Sequence, residues 1–148
     1  MIEVPDEVTE VVTEDASSTP EFLDVDDLLE LHRQQLDRFG GGDGIRDRGL
    51  LASAVAQPQA SFAGVYAHEG LYAMAAAYLF HIVSNHAFID GNKRAGLLAA
   101  LVFLDLNGIS LRHGSSDLYA LTMRIAAGET SKATVTAELE RIARAVPR

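Results

Sequence analysis

Five side chains able to do chemistry fall in one nine-residue stretch: His86, Asp90, Asn92, Lys93 and Arg94, with Gly91 between the aspartate and the asparagine. A histidine is the side chain best suited to accept a proton near neutral pH. An aspartate offers the hard oxygen that Mg²⁺ prefers, and Mg²⁺ usually binds through one or two carboxylates plus substrate phosphates. Lysine and arginine supply the positive charge that a phosphoryl group needs in flight. A base, a metal carboxylate and two cations together describe phosphate-transfer chemistry.

This polar island lies between two apolar runs. Leu71 to Val83 is apolar apart from His81, and Ala95 to Leu104 carries no charge. Polar groups between such segments cost free energy unless they have partners or a task. Both runs read as helices, Leu71–Asn85 and Lys93–Leu106, the second apolar nearly all round and therefore buried on every side. Asn92 to Arg94 open that second helix. Its first N–H groups have no helical partner and carry partial positive charge, which favours phosphate. Gly91 permits a turn that a side chain would hinder. Cations at this end oppose the helix dipole, by several tenths of a kcal/mol each, so Lys93 and Arg94 make sense there if an anion joins them.

The motif His86-Ala87-Phe88-Ile89-Asp90-Gly91-Asn92-Lys93-Arg94 resembles the active-site motif of the Fic/Doc superfamily, and Lys93 points to its Doc (death-on-curing) branch. Fic enzymes that transfer AMP have glycine at the position of Lys93 and an arginine at that of Leu97. The run Arg38-Phe39-Gly40-Gly41, then Gly44-Ile45-Arg46-Asp47-Arg48-Gly49-Leu50-Leu51, is also similar to the Doc branch, as are Gly128-Glu129 and the final helix. The likeness spans roughly residues 22 to 146. It implies an all-α single domain, a toxin of a toxin–antitoxin pair and phosphoryl transfer from ATP to a hydroxyl of translation elongation factor Tu. In the roles so implied, His86 deprotonates the acceptor. Asp90 holds Mg²⁺ and helps place His86, and Gly91, Asn92, Lys93 and Arg94 bind nucleotide phosphate. A lysine in place of glycine would fill the path of an AMP phosphate, so that ATP sits reversed with its γ-phosphate toward His86. AMP transfer with the same base and metal is the alternative. A non-catalytic interaction module is the third reading.

The 148 residues fit one domain with a real core, and the absence of cysteine excludes disulfides and thiolate metal sites. The net charge of −9 is unevenly spread. Ten acids and no Lys or Arg fall in residues 1–27, leaving eleven acids against all 12 bases elsewhere. No basic stripe for nucleic acid is present. With neither a signal stretch nor a membrane-length apolar run, a soluble cytoplasmic protein is expected. Residues 1–21 read as an acidic leader, either a plain tail or, given Val4, Val8, Val11 and Val12, an arm over the domain formed by 22–148.

Along the rest of the chain, Asp24 caps a first helix with Asp27 at the capping-box position, and Gly40-Gly41-Gly42 stops it. His32 reads as a surface or hydrogen-bonded helix residue. Arg46 is expected to pair with Asp43 or Asp47, or else to shape the site. A short helix runs from Gly49 to Gln57 and ends at Pro58. Ser61 to Gly70 reads as loop with a turn of helix. His68-Glu69 is not a zinc-protease motif, because Tyr72 stands where the second histidine belongs. His81 is expected to be a buried, hydrogen-bonded core residue, and its five-residue spacing from His86 rules out a joint metal site. Phe88 and Ile89 are expected to anchor the active loop in the core. Asn107-Gly108 ends the second central helix, Ile109–Arg112 reads as extended, and two further helices follow, from Ser115 or Ser116 to Gly128 and from Ser131 or Thr134 to Ala145. The inhibitory motif that Fic proteins can carry, Ser/Thr-x-x-x-Glu-Gly/Asn, fails after Ser17–Glu21, Thr134–Glu138 and Thr136–Glu140. Any inhibitor is therefore expected to be a separate antitoxin protein.

Overall fold

A computed structural model describes residues 19–111 and 115–145. The described residues form six helices: α1 (Val25–Phe39), α2 (Arg48–Ala56), α3 (Leu71–Asn85), α4 (Asn92–Leu106), α5 (Ser116–Ala126) and α6 (Lys132–Ala145). The fold is mostly α. The leader's first eighteen residues, Arg112 and the chain after Ala145 lie outside the described residues, and with them the readings made there. None of the described helices is long and apolar enough to cross a membrane.

The central pair is α3 and α4. Both are rich in small residues, and Ala75, Ala76, Ala77, Ala95, Ala99 and Ala100 are all fully buried. Gly96 marks the tightest approach. A Cβ there would lie 2.8 Å from Val83 Cγ2 and 3.3 Å from the Leu79 carbonyl oxygen. Around this pair pack α1, α2, α5 and α6, each turning leucines or valines inward, such as Leu28, Leu51, Leu121 and Leu139. The Tyr78 hydroxyl reaches out of α3 to the chain ahead of α1, accepting from Leu23 N–H at 2.7 Å and donating to its carbonyl at 3.1 Å. Burial pushes this phenol up to about 12.

The capping box on α1 is complete, with Asp24 and Asp27 each accepting from the other's N–H, and Gly40 ends the helix. Away from the loop between the central helices and its contacts, the structure departs from the sequence-based expectation in four places. Pro58 lies inside a 3-10 turn (Gln57–Gln59) that continues α2, because proline at an early helical position loses no hydrogen bond. Ser61–Gly70 holds a two-residue hairpin, β1 (Ser61–Phe62) against β2 (Val65–Tyr66), and no helical turn. The left-handed pair Ala63 and Gly64 reverses the chain there. The second central helix is not buried on every side: Leu97, Leu98 and Val102 are only partly covered and Leu106 is exposed.

His81 is the fourth departure. It is half-buried, and its Nε2 is sealed from solvent without any hydrogen-bond partner. Lys132 Nζ stands 3.0 Å from Nε2 of the neighbouring His68. Lysine can only donate, so that nitrogen is the unprotonated one. Burial first, then Lys132 and His68, lowers His81 to about 4, and burial followed by Lys132 lowers His68 in the same direction.

Two tests follow from this packing. Gly96→Ala should destabilise the protein by about 1–3 kcal/mol, the usual cost of overpacking, read by denaturant titration. For the histidines, the unfolded chain takes up their protons near the ordinary value of about 6.5 while the folded chain resists. Stability should therefore be full above that pH and fall as pH drops from about 6.5 toward 4. In melting curves across this range, His81→Leu should shallow the fall and change little at pH 8.

Candidate functional site

The loop from His86 to Gly91 joins the two central helices, and three sets of contacts shape it. His86 ends α3 in the left-handed region, at φ 51 and ψ 46. This turns the last carbonyls of the helix toward Arg46, whose Nε donates to the His86 oxygen at 2.8 Å and whose Nη2 donates to the Asn85 oxygen at 3.2 Å. The backbone N–H groups of Arg46 and Asp47 both donate to the Ala87 carbonyl, and Ile89 N–H donates to the Gly44 carbonyl. Arg46 thus has a structural part, but its partners are these carbonyls and not Asp43 or Asp47. Asp47 instead caps α2 through Leu50 N–H.

The second set holds the middle of the loop. Phe88 is buried and stacks face to face on His32, with ring centroids 3.7 Å apart at 6°. His32 Nε2 lies 2.7 Å from the Asp90 carbonyl oxygen. A carbonyl only accepts, so Nε2 carries the proton. The Asn92 side chain brackets Phe88, its Oδ1 accepting from Phe88 N–H and its Nδ2 donating to the Phe88 carbonyl, each at 3.0 Å. Asn92 is buried in doing so. Its side-chain amide is thus engaged in closing the loop, while the residue also lines the pocket at the start of α4. Ile89 is corrected: it is exposed at the loop's tip, and only Phe88 is an anchor.

The third set positions the carboxylate. Asp90 Oδ2 accepts from Gly42 N–H at 3.3 Å and Oδ1 from Gly91 N–H at 2.8 Å. Those two N–H groups, then the charges of Arg94 and Lys93, hold its carboxyl below the usual range, so it is ionised at neutral pH. Its side-chain hydrogen bonds go to these amides and not to His86. Gly41 is required here: its φ is +124, and a Cβ would stand 2.9 Å from Asp90 Oδ2.

Gly91 starts α4 at φ 81, and no side chain caps the helix. The amides of Asn92, Lys93 and Arg94 therefore have no helical acceptor. Arg94 lies over the Phe39 ring at 4.5 Å, while Lys93 is exposed. A pocket of about 320 Å³ opens at this helix start, lined by Asp90 through Arg94 and by Leu97, with Tyr119, Thr122 and Met123 of α5 as the facing wall. The structure so brings together Asp90, Gly91, Asn92, Lys93 and Arg94. His86 stands at the other end of the loop, exposed, and is not part of the pocket lining. Among the described residues no group of three His, Cys, Asp or Glu side chains could hold a metal alone. A lone carboxylate of this kind would suit a cation such as Mg²⁺ only if further oxygens came from a ligand.

The Fic/DOC family model matches residues 22–104, which spans α1 through most of α4 and includes the whole loop. The chain belongs to the Fic/DOC family. Among its relatives in that family, "Toxin Doc" of Mycolicibacterium smegmatis is 46% identical over 91 residues, covering 62% of this chain and 68% of that protein. "Protein kinase doc" of Escherichia phage P1 is 34% identical over 117 residues, covering 79% of this chain and 91% of that protein. The second match covers most of both chains, so it extends well past the loop.

Sequence reasoning missed His32 as the support of the loop, Gly41 and Gly42 as the seat of Asp90, and Tyr119, Thr122 and Met123 as the far wall. Only the Asn92–Phe88 bracket had a local signal, an asparagine four residues after a buried aromatic. Asn92→Ala should cost about 1–3 kcal/mol, because it leaves the buried Phe88 N–H and carbonyl unpaired. Chemical denaturation would measure this.

Proposed function

We propose that this protein is a Doc-type toxin that transfers the γ-phosphoryl group of ATP to a hydroxyl of a protein substrate. The observation that supports this best is the start of α4: uncapped backbone amides, Lys93 and Arg94 together beside an ionised Asp90 in an open pocket. Unpaired amides and cations favour an anion, and a neighbouring carboxylate is tolerated there if a divalent cation joins them.

In this reading the backbone of Gly91 turns the chain so that the amides of Asn92, Lys93 and Arg94, with the Arg94 side chain, bind the nucleotide phosphates, and Lys93 meets the charge that develops on the transferring group. Asp90 would hold Mg²⁺, which neutralises phosphate charge when it is bound with ATP. His86 takes the proton from the acceptor hydroxyl. That oxygen bonds to the γ-phosphorus while the bond to the β–γ bridging oxygen breaks, and ADP leaves. Elongation factor Tu is the proposed substrate, and a separate antitoxin is the proposed inhibitor. Leu97, which lines the pocket where an AMP-transferring relative would carry arginine, argues for the γ- over the α-phosphate.

Incubation with elongation factor Tu and ATP labelled at either position tests this. Label from the γ-phosphate should appear on the target. Label from the α-phosphate would make the protein an AMP transferase. His86→Ala should lower transfer by roughly 10²- to 10⁴-fold, the range for loss of a general base. Undiminished transfer would remove His86 from the chemistry.

A further inference from the structure

We propose that the groove between α1, α4 and α5 holds the nucleoside part of a nucleotide, with the base stacked on Tyr119. The inference rests on the reading that the start of α4 takes a nucleotide's phosphates, and it places the rest of that molecule.

The groove continues the pocket. It shares Arg94, Leu97 and Tyr119 with it, encloses about 810 Å³ and follows α4 to Leu98 and Leu101. The lining changes along the way. Asp90, Lys93 and Arg94 give the pocket its charges. Beyond Leu97 the groove has Leu98, Leu101 and Leu118, the neutral polar groups of Gln35 and Ser116, and no acid among the described residues that line it. A nucleoside has the same make-up, an uncharged aromatic body edged with hydrogen-bonding groups. Leu98 stands roughly 9 Å along α4 from Asn92, a gap that a ribose and a phosphate chain can bridge. A nucleotide laid this way keeps its terminal phosphate at the Asp90 end and its base furthest from the loop.

The exposed rings select a base over an aliphatic occupant. Phe39, Phe62, Tyr66 and Tyr119 are the exposed Phe and Tyr side chains among the described residues, and Phe39 and Tyr119 both line the groove. Phe39 already has the guanidinium groups of Arg94 and Arg38 at 4.5 and 5.4 Å from its ring centroid. Tyr119 is 66% exposed, and no ring or guanidinium of the described residues lies on it. A bare aromatic face at the junction of a phosphate pocket and an apolar groove suits a base, because every base has a π-face to stack. A separate depression of about 470 Å³, with Leu29, His32, Ile45 and Arg48 in its lining, is the alternative seat. It shares no residue with the pocket, and the phenyl ring in its lining, Phe88, is buried.

The test titrates the full chain, with magnesium present, with two compounds: an ATP analogue whose β–γ bridging oxygen is replaced by nitrogen, and inorganic triphosphate. Tyr119→Ala should weaken binding of the analogue roughly tenfold and leave triphosphate unchanged, while Tyr119→Phe should restore the analogue's affinity. In the unsubstituted chain the analogue, but not triphosphate, should move the methyl NMR signals of Leu98, Leu101 and Leu118 through the ring current of its base. Suppose triphosphate binds but Tyr119→Ala leaves the analogue's affinity unchanged, or the ring-current shifts gather at Leu29 and Ile45. Either result overturns this inference and leaves the phosphate site standing. Failure of both compounds to bind overturns the two together.

Discussion

The site depends on the closure of a short loop by one side chain. Asn92 is the first residue of α4, and its amide holds both the N–H and the carbonyl of Phe88 four positions earlier. This fixes the loop from inside. Phe88 is then free to fill the core, its ring lying against His32, while the polar face of His32 holds the Asp90 carbonyl. Backbone groups that would otherwise be buried without partners are satisfied, and the Asp90 side chain is left to face outward. A loop closed this way loses little entropy when a ligand binds, because its shape is set before the ligand arrives.

The loop can be this rigid because the helices on either side cannot slide. Buried alanines run through both α3 and α4, and at Gly96 the two helices come too close for a Cβ. Close packing of this kind has few alternative registers. The segment from Gly40 to Asp47 then wraps the outside, donating to Asp90, Ala87, His86 and Asn85. Core packing thereby carries through to the position of a single carboxylate.

Most of the helices were legible from local pattern, since each carries an apolar stripe and a recognisable stop. Leu71–Asn85 was read to its ends, and the Asp24–Asp27 capping box was complete. The nine-residue motif was legible too, because its residue types are expensive between apolar helices. What could not be read were partners distant in the chain. His32 is 58 residues from Asp90, and Gly42 is 48 residues from it. Local composition has no term for such pairs. Arg46 shows the same limit: its neighbours Asp43 and Asp47 were obvious partners, yet helix-end carbonyls roughly forty residues away take its hydrogen bonds, since they would otherwise lie unpaired. Asn92 carries a task that its place in a polar motif did not suggest: its buried amide closes the loop on Phe88.

Two features of the site oppose stability, and they do so together. His86 is one of two non-glycine described residues at positive φ, a conformation that costs roughly 1–2 kcal/mol. Lys93 and Arg94 stand at the helix end that repels cations. Neither arrangement helps the fold: glycine would suit position 86 better, and acids would suit the first turn of α4. Such costs persist only where the surrounding contacts hold them in place. Here those contacts can be named, with Arg46 holding the end of α3 and Phe39 lying beneath Arg94. An anion at the start of α4 would relieve the second cost directly, so ligand binding and local stability should be linked through the same charges.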